Sequence, residues 1–186
     1  LISFSFSSPR LCVLNILLIY LKHKITKLPY NNPYLCFMKI NIKSDKYFML
    51  KALEEAQKAF DVEEVPVGAI ITCENQIIAR GHNYVQHLND VTAHAEMQAF
   101  TSAADYIGGK YLNECTLYVT LEPCIMCAGA SFWTQISRIV IGARDLKNGF
   151  SLQESRILHP KTKIEFGLLE EDSKKLLQDF FKSKRK

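Results

Sequence analysis

The chain has 186 residues, 48% of them apolar and 23% charged, with eight glycines and six prolines. That composition excludes a disordered tail protein, a collagen and a repeat array, and the length suffices for one domain with its own core. The formal charge is +4, but residues 1–37 hold Arg10, Lys22, Lys24 and Lys27 and no acid, so the remainder is neutral and charge alone does not argue for nucleic acid.

Residues 1–37 differ in kind from the remainder of the chain. They begin with Leu1, lack Ala, Gly, Asp and Glu, and are dominated by residues with AT-rich codons. The apolar run Leu11–Leu21 is shorter than the roughly 20 residues that a bilayer span needs. Lys22, His23 and Lys24 come directly after it, where an export signal would carry small residues. The expectation is a non-native or disordered extension over 1–37, then a single domain over 38–186 with no membrane association.

From Met38 the pattern becomes that of a folded domain. Ser44 and Asp45 can cap a first helix, in which Met49, Leu53, Ala56 and Phe60 recur at helical spacing. Val67–Thr72 and Gln76–Arg80 read as strands joined by a turn at Glu74-Asn75. Gly81–Asp90 is polar and loop-like. Thr92 can cap a second helix, about Ala93–Ala104, which Gly108-Gly109 would end. Thr116–Thr120 has the composition of a buried central strand. Pro123 precedes a third helix, about Cys124–Thr134. Arg138–Gly142 and Lys163–Phe166 are further strands, and Glu170–Phe181 is a final amphipathic helix. Strands interleaved with helices predict an α/β layered domain.

Two short stretches carry chemistry. His94-Ala95-Glu96 lies at the start of the second helix, and Pro123-Cys124-Ile125-Met126-Cys127 at the start of the third. Cys124 and Cys127 are three apart, so on a helix their sulfurs share a side. A helix N-terminus favours the thiolate that binds metal. One imidazole and two thiolates make a zinc set that leaves a fourth position open for water, as catalytic sites do. Glu96 would stand beside that position as a proton carrier and not as a ligand. Taken alone, the C-x-x-C would equally be a redox pair or half of a structural zinc site, and His94 a core histidine. Cys73 and Cys115 sit in or beside strands, where a buried, apolar-like cysteine is the default. The combination of H-x-E with P-C-x-x-C, each at a helix start, is far more specific than either part.

These motifs resemble the zinc-dependent nucleobase deaminases and, within them, the bacterial tRNA-specific adenosine deaminase family. The likeness runs from about Tyr47 to Phe181. Its quoted parts are Val65-Pro-Val-Gly-Ala, Gly81-His-Asn, Thr92-Ala-His-Ala-Glu-Met, the run from Thr116 through Glu-Pro-Cys-Ile-Met-Cys-Ala-Gly-Ala, Ile141-Gly-Ala-Arg-Asp and Leu176-Leu-Gln-Asp-Phe-Phe. The H-A-E and P-C-x-x-C parts belong to the wider superfamily; Cys-Ala-Gly-Ala, Gly-Ala-Arg-Asp and the Phe-Phe helix are the narrower match. The resemblance implies a three-layer α/β/α cytidine deaminase-like fold with a five-stranded mixed sheet. It implies one Zn²⁺ per subunit held by His94, Cys124 and Cys127, with Glu96 catalytic. It also implies hydrolytic conversion of adenosine to inosine at the wobble position of tRNA anticodon loops, by a cytoplasmic homodimer. Asn83 matches a base-binding position, Pro66 and Val67 a pocket wall, and Asp145 a position near the ribose. Phe180 and Phe181 match residues of the last helix, where stacking on loop bases competes with core packing. Lys182, Lys184, Arg185 and Lys186 follow as a basic tail. The stretch between Asp145 and Lys161 is shorter than in many relatives, and no binding residue is carried over from it.

Two other functions fit parts of the pattern. A free-base deaminase, guanine deaminase above all, shares T-A-H-A-E and E-P-C-x-M-C but differs after the third helix. A non-catalytic zinc scaffold would need the ligands but not Glu96.

Overall fold

The computed structural model describes residues 44–153 and 157–185. The expectation for residues 1–37 lies outside them. Ser44 caps α1 (Asp45–Asp61), its Oγ accepting the Tyr47 N–H at 3.2 Å. The buried stripe of α1 is Phe48, Met49, Ala52, Ala56 and Ala59, the three-and-four spacing of an amphipathic helix. β1 (Gly68–Cys73) and β2 (Gln76–His82) form the expected hairpin. Its turn residues Glu74 and Asn75 have φ of +49° and +59°. Two positive φ angles are what a two-residue turn needs to match strand twist.

The segment expected to be a loop over Gly81–Asp90 is partly regular: β2 runs on to His82, and a single-turn helix α2 (Val85–Leu88) comes after it. None of the four α2 residues is buried, so no apolar period announces it. The next helix, α3 (Ala95–Ile107), starts later than expected, with His94 and not Thr92 at its N-cap position and no side-chain capping bond. The Thr92 hydroxyl instead bonds Asp90 at 2.7 Å, and His94 keeps an extended backbone with φ −69° and ψ 157°. Gly108, at φ +68°, ends α3. β3 (Cys115–Leu121), α4 (Ile125–Thr134), β4 (Arg138–Ala143), a 3₁₀ turn (Phe150–Leu152), β5 (Lys163–Phe166) and α5 (Glu170–Lys184) complete the described elements.

The sheet order is β2-β1-β3-β4-β5, with β1 antiparallel to both neighbours and β3, β4 and β5 parallel. β3 is central, as its composition predicts. Alternation along the strands sorts the core into two halves. Ala69, Ile71, Leu117, Val119, Ile139 and Ile141 face α3 and α4 through Ala95, Ala99, Phe100 and Ala128. Ile70, Tyr118 and Val140 face α1 through Phe48, Met49 and Ala52. On that second face α5 joins α1, with the Phe180 and Phe60 rings 5.7 Å apart. The result is the three-layer α/β/α arrangement with a five-stranded mixed sheet.

One close approach matters for the site. β2 presses so tightly on α3 that a Cβ on Gly81 would lie 2.3 Å from the Ala95 carbonyl oxygen. Ala95 is the first residue of α3, directly after His94. Gly81→Ala is therefore expected to push strand and helix apart and to cost about 1–3 kcal/mol of stability, read from urea or thermal unfolding. Unchanged stability would show that β2 has room to move away.

Candidate active site

All the chemistry collects at one edge of the sheet. β3 and β4 end there, β2 ends there, and β1, running the other way, begins there. The segments that leave or enter at this edge carry Val65–Val67, Asn83, Glu122 and Asp145, while α3 and α4 start beside it. Crevices at the carboxyl ends of parallel strands are where α/β sheets bind ligands. A cavity of about 620 Å³ opens there, within the size range of small-molecule sites.

Three donors meet beside the cavity: His94 and Cys124 line it, and Cys127 is buried against them. His94 occupies the N-cap position of α3 and Cys124 that of α4, neither with a side-chain capping bond, while Cys127 lies in the first turn of α4. Cys124 is extended (φ −73°, ψ 174°) rather than helical, so its sulfur reaches back over the helix start instead of lying along it. His94 Nδ1 is 3.7 Å from Cys124 Sγ and 3.5 Å from Cys127 Sγ. All three donor atoms lie within 4.8 Å of one another, and they form the one such group among the described residues. Zinc bonds of about 2.0 Å to nitrogen and 2.3 Å to sulfur, at tetrahedral angles, put N and S about 3.5 Å apart. The donor set and its spacing fit zinc, with Nδ1 as the imidazole ligand.

The electrostatics of the cluster favour a bound cation. Cys124 is held down to about 4, first by the hydrogen bond from the Cys127 thiol and then by the one to His94. Cys127 is pushed up by the same contact with Cys124 and by burial. The Cys124 contact raises His94. One thiolate thus exists without metal, and a metal displaces the second proton. Glu96, in the first turn of α3, is buried, and burial pushes its carboxyl up to about 7. It lines the same cavity as His94 and Cys124.

Cys73 and Cys115 take no part. They face each other across the β1–β3 pairing, remote from the ligand group, and burial raises the Cys115 thiol to about 12. That is the inert, packed cysteine expected of strand positions.

The residues expected around the cavity divide. Asn83 and Val67 line it. So does Asp145, which also acts as a turn residue: its Oδ1 accepts the N–H groups of Lys147 and Asn148. Pro66 does not line it; the wall is made by Val65 and Val67, and Pro66 is buried between them. Successive residues of extended chain point to opposite sides, so the neighbours of a wall residue face away. Phe181 lies on α5 and is 46% exposed, while Phe180 is 5% exposed in the core; neither reaches the cavity.

Two buried carboxylates have roles that sequence reasoning does not assign, Glu122 even though it stands in the Glu-Pro-Cys run. Glu122 accepts the N–H of Asp145 at 3.1 Å and that of Ser151 at 2.9 Å, stapling the loop that carries Asp145. Glu64 accepts from Asn83 and from His87. A glutamate beside other acids or in a turn reads as solvated surface, and only the closed structure shows what it binds.

The fold and the donor set have counterparts among known proteins. The profile described as "Cytidine and deoxycytidylate deaminase zinc-binding region" matches residues 42–143. A tRNA-specific adenosine deaminase of Aquifex aeolicus is 46% identical over 145 residues, spanning 75% of this chain and 95% of that protein. A solved structure from a study of A-to-I editing by tRNA:A34 deaminases at the wobble position of transfer RNA has 40% identity and a TM-score of 0.66, covering 70% of this chain and 99% of its own. A guanine deaminase from Bacillus subtilis has 35% identity and a TM-score of 0.52, covering 54% of this chain and 65% of its own.

The purified protein is expected to carry one zinc per chain by elemental analysis. Cys124→Ala should lose most of it, because two ligands hold a metal far more weakly than three. Full zinc occupancy in that variant would show that the donors are wrongly named.

Proposed function

The chain belongs to the tRNA-specific adenosine deaminases, within the cytidine and deoxycytidylate deaminase zinc-binding family, and from that membership we propose that it deaminates adenosine to inosine at the wobble position of a tRNA anticodon loop. The observation that carries this reading is the grouping of His94, Cys124 and Cys127, with His94, Cys124 and the buried Glu96 lining one cavity. A scaffold needs the three donors; a hydrolase needs the carboxyl as well.

His94, Cys124 and Cys127 hold the zinc. When bound, the metal supplies the Lewis acidity that makes water nucleophilic near neutral pH. Glu96 moves the protons: it accepts one from the attacking water and passes it to the ring nitrogen beside the carbon that bears the amino group, then takes the proton of the added hydroxyl and delivers it to the amino group, which leaves as ammonia. Adenosine and water thus give inosine and ammonia. Val67 packs on the base, Asn83 hydrogen-bonds it, and Asp145 lies toward the ribose. The loop base reaches the cavity because an anticodon nucleotide is single-stranded and splays out at modest cost.

Phe181 supports an RNA partner. It is 46% exposed on α5, beside Lys182, Lys184 and Arg185, an aromatic surface on which a neighbouring loop base stacks. A second copy of the chain is the other partner. On α4, Ile125, Gly129 and Trp133 recur every four residues on one face, with Ile125 50% and Trp133 77% exposed and nothing within 4 Å of a Cβ on Gly129. An apolar stripe of this kind suits a homodimer interface. Among the described residues no helix is long and apolar enough to cross a membrane, and a tRNA substrate fits a cytoplasmic enzyme.

The direct test is incubation with a tRNA carrying adenosine at the wobble position, followed by nucleoside mass spectrometry, with free guanine as the competing substrate. Inosine in the tRNA supports the reading; turnover of guanine without inosine overturns it in favour of a free-base deaminase. Glu96→Gln is expected to keep its zinc and lose about 10²–10⁴ in turnover, and near-normal activity in the zinc-loaded variant would remove the proton-transfer role. Trp133→Glu should shift the protein from twice the 21.3 kDa chain mass to the single-chain mass in light scattering; an unshifted mass would move the interface elsewhere.

A further inference from the structure

Asn83 is held by a residue that the deaminase motifs do not include. Glu64 follows α1, its own N–H bonded to the Ala59 carbonyl at 2.9 Å. Its side chain is almost fully enclosed, at 1% exposure. Glu64 Oε1 accepts the backbone N–H of His87 at 2.7 Å, and Oε2 accepts from Asn83 Nδ2 at 3.1 Å. A carboxylate offers acceptors only, so the group that Asn83 turns toward Glu64 must be its NH₂. The Asn83 Oδ1 takes no hydrogen bond among the described residues, and no buried side-chain polar atom among them lacks a partner. Oδ1 is therefore open to the cavity that Asn83 lines.

We propose that Glu64 is the positioning residue of the substrate pocket: it locks the Asn83 amide in the rotation that presents a carbonyl acceptor to the bound nucleoside. This rests on the adenosine-deaminase reading. The ring nitrogens of adenine that are not glycosidic are all acceptors, so the partners for Oδ1 are the exocyclic amino group and the ribose hydroxyls.

The chemistry of the lock predicts its failure. In Glu64→Gln one side-chain oxygen remains, and the fixed His87 N–H claims it. The introduced amide NH₂ then faces the Asn83 NH₂. Two donors cannot pair, so the Asn83 amide rotates, gives Oδ1 to the introduced NH₂ and turns its own NH₂ into the cavity. Adding Asn83→Asp restores the pattern, because one carboxylate oxygen accepts from the introduced NH₂ and the other faces the substrate. In the Glu64 background the same Asn83→Asp change sets two carboxylates against each other at a 3.1 Å contact.

The test is this double-mutant cycle, assayed on an anticodon stem-loop with zinc content and melting temperature recorded for each variant. Glu64→Gln is expected to raise KM about tenfold, the weight of one hydrogen bond, with kcat nearly unchanged and zinc retained. Asn83→Asp alone should lose at least as much, and the double variant should return to within a few-fold of the wild-type KM. A Glu64→Gln enzyme with wild-type KM, or losses that multiply in the double variant, overturns the proposal. Side-chain amide exchange by NMR on the unmutated protein gives a reading that needs neither variant nor substrate. The Asn83 NH₂ should exchange at least about tenfold more slowly than an exposed asparagine amide, and equal rates overturn the lock. Absence of inosine with the wild-type enzyme would contradict the substrate reading instead, and the exchange result would still decide whether Glu64 holds Asn83.

Discussion

Two helices begin side by side at one edge of a sheet, and the rest of the site depends on that constraint. α3 and α4 start with His94 and Cys124, both still in extended backbone. A residue at that position projects its side chain across the helix end, while the next turn supplies Cys127 and Glu96. The free N–H groups of a helix start favour negative charge, so thiolates are stabilised where they are needed. The two helix ends are brought together by tight packing on the sheet. Ala95, Ala99 and Ala128 are fully buried there, and Gly81 leaves no space between β2 and α3. Small side chains let backbones approach, and the approach sets the distances between donors.

Around this node three buried glutamates divide the work by what they bind. Glu122 takes two backbone N–H groups from one loop and so shapes the cavity rim. Glu64 takes one backbone N–H and one side-chain amide. Glu96 makes no such pair of strong donor contacts, and burial lifts its carboxyl to about 7. Burying a carboxylate is costly unless N–H donors satisfy it. The two satisfied acids serve as scaffold, and the less satisfied one is the acid suited to exchanging protons near neutral pH.

Much of this arrangement is legible in the residues. All five strands, the Glu74-Asn75 hairpin, and the H-A-E and P-C-x-x-C ligand stretches can be read from periodicity, turn chemistry and donor spacing. What escapes has physical reasons. Thr92 has the right chemistry for a helix cap, but Asp90 competes for its hydroxyl and the helix starts after His94. α2 buries none of its residues and leaves no period to detect. Pro66 sits in the matched wall motif, yet the parity of an extended chain turns its neighbours, not it, to the cavity. Glu64 lies outside the matched motifs, and Glu122 stands within Glu-Pro-Cys without a legible role, because an acid becomes a core residue only through donors brought from distant segments.

The central claim is that the metal is held by one nitrogen and two sulfurs from two helix starts, with one coordination position left for water. X-ray absorption at the zinc edge measures this on the intact protein. Four-coordinate zinc is expected, with two sulfurs at about 2.3 Å and two lighter atoms at about 2.0 Å. A shell of three or four sulfurs would bring in a cysteine outside the cluster. It would contradict both the ligand assignment and the open position on which hydrolysis depends.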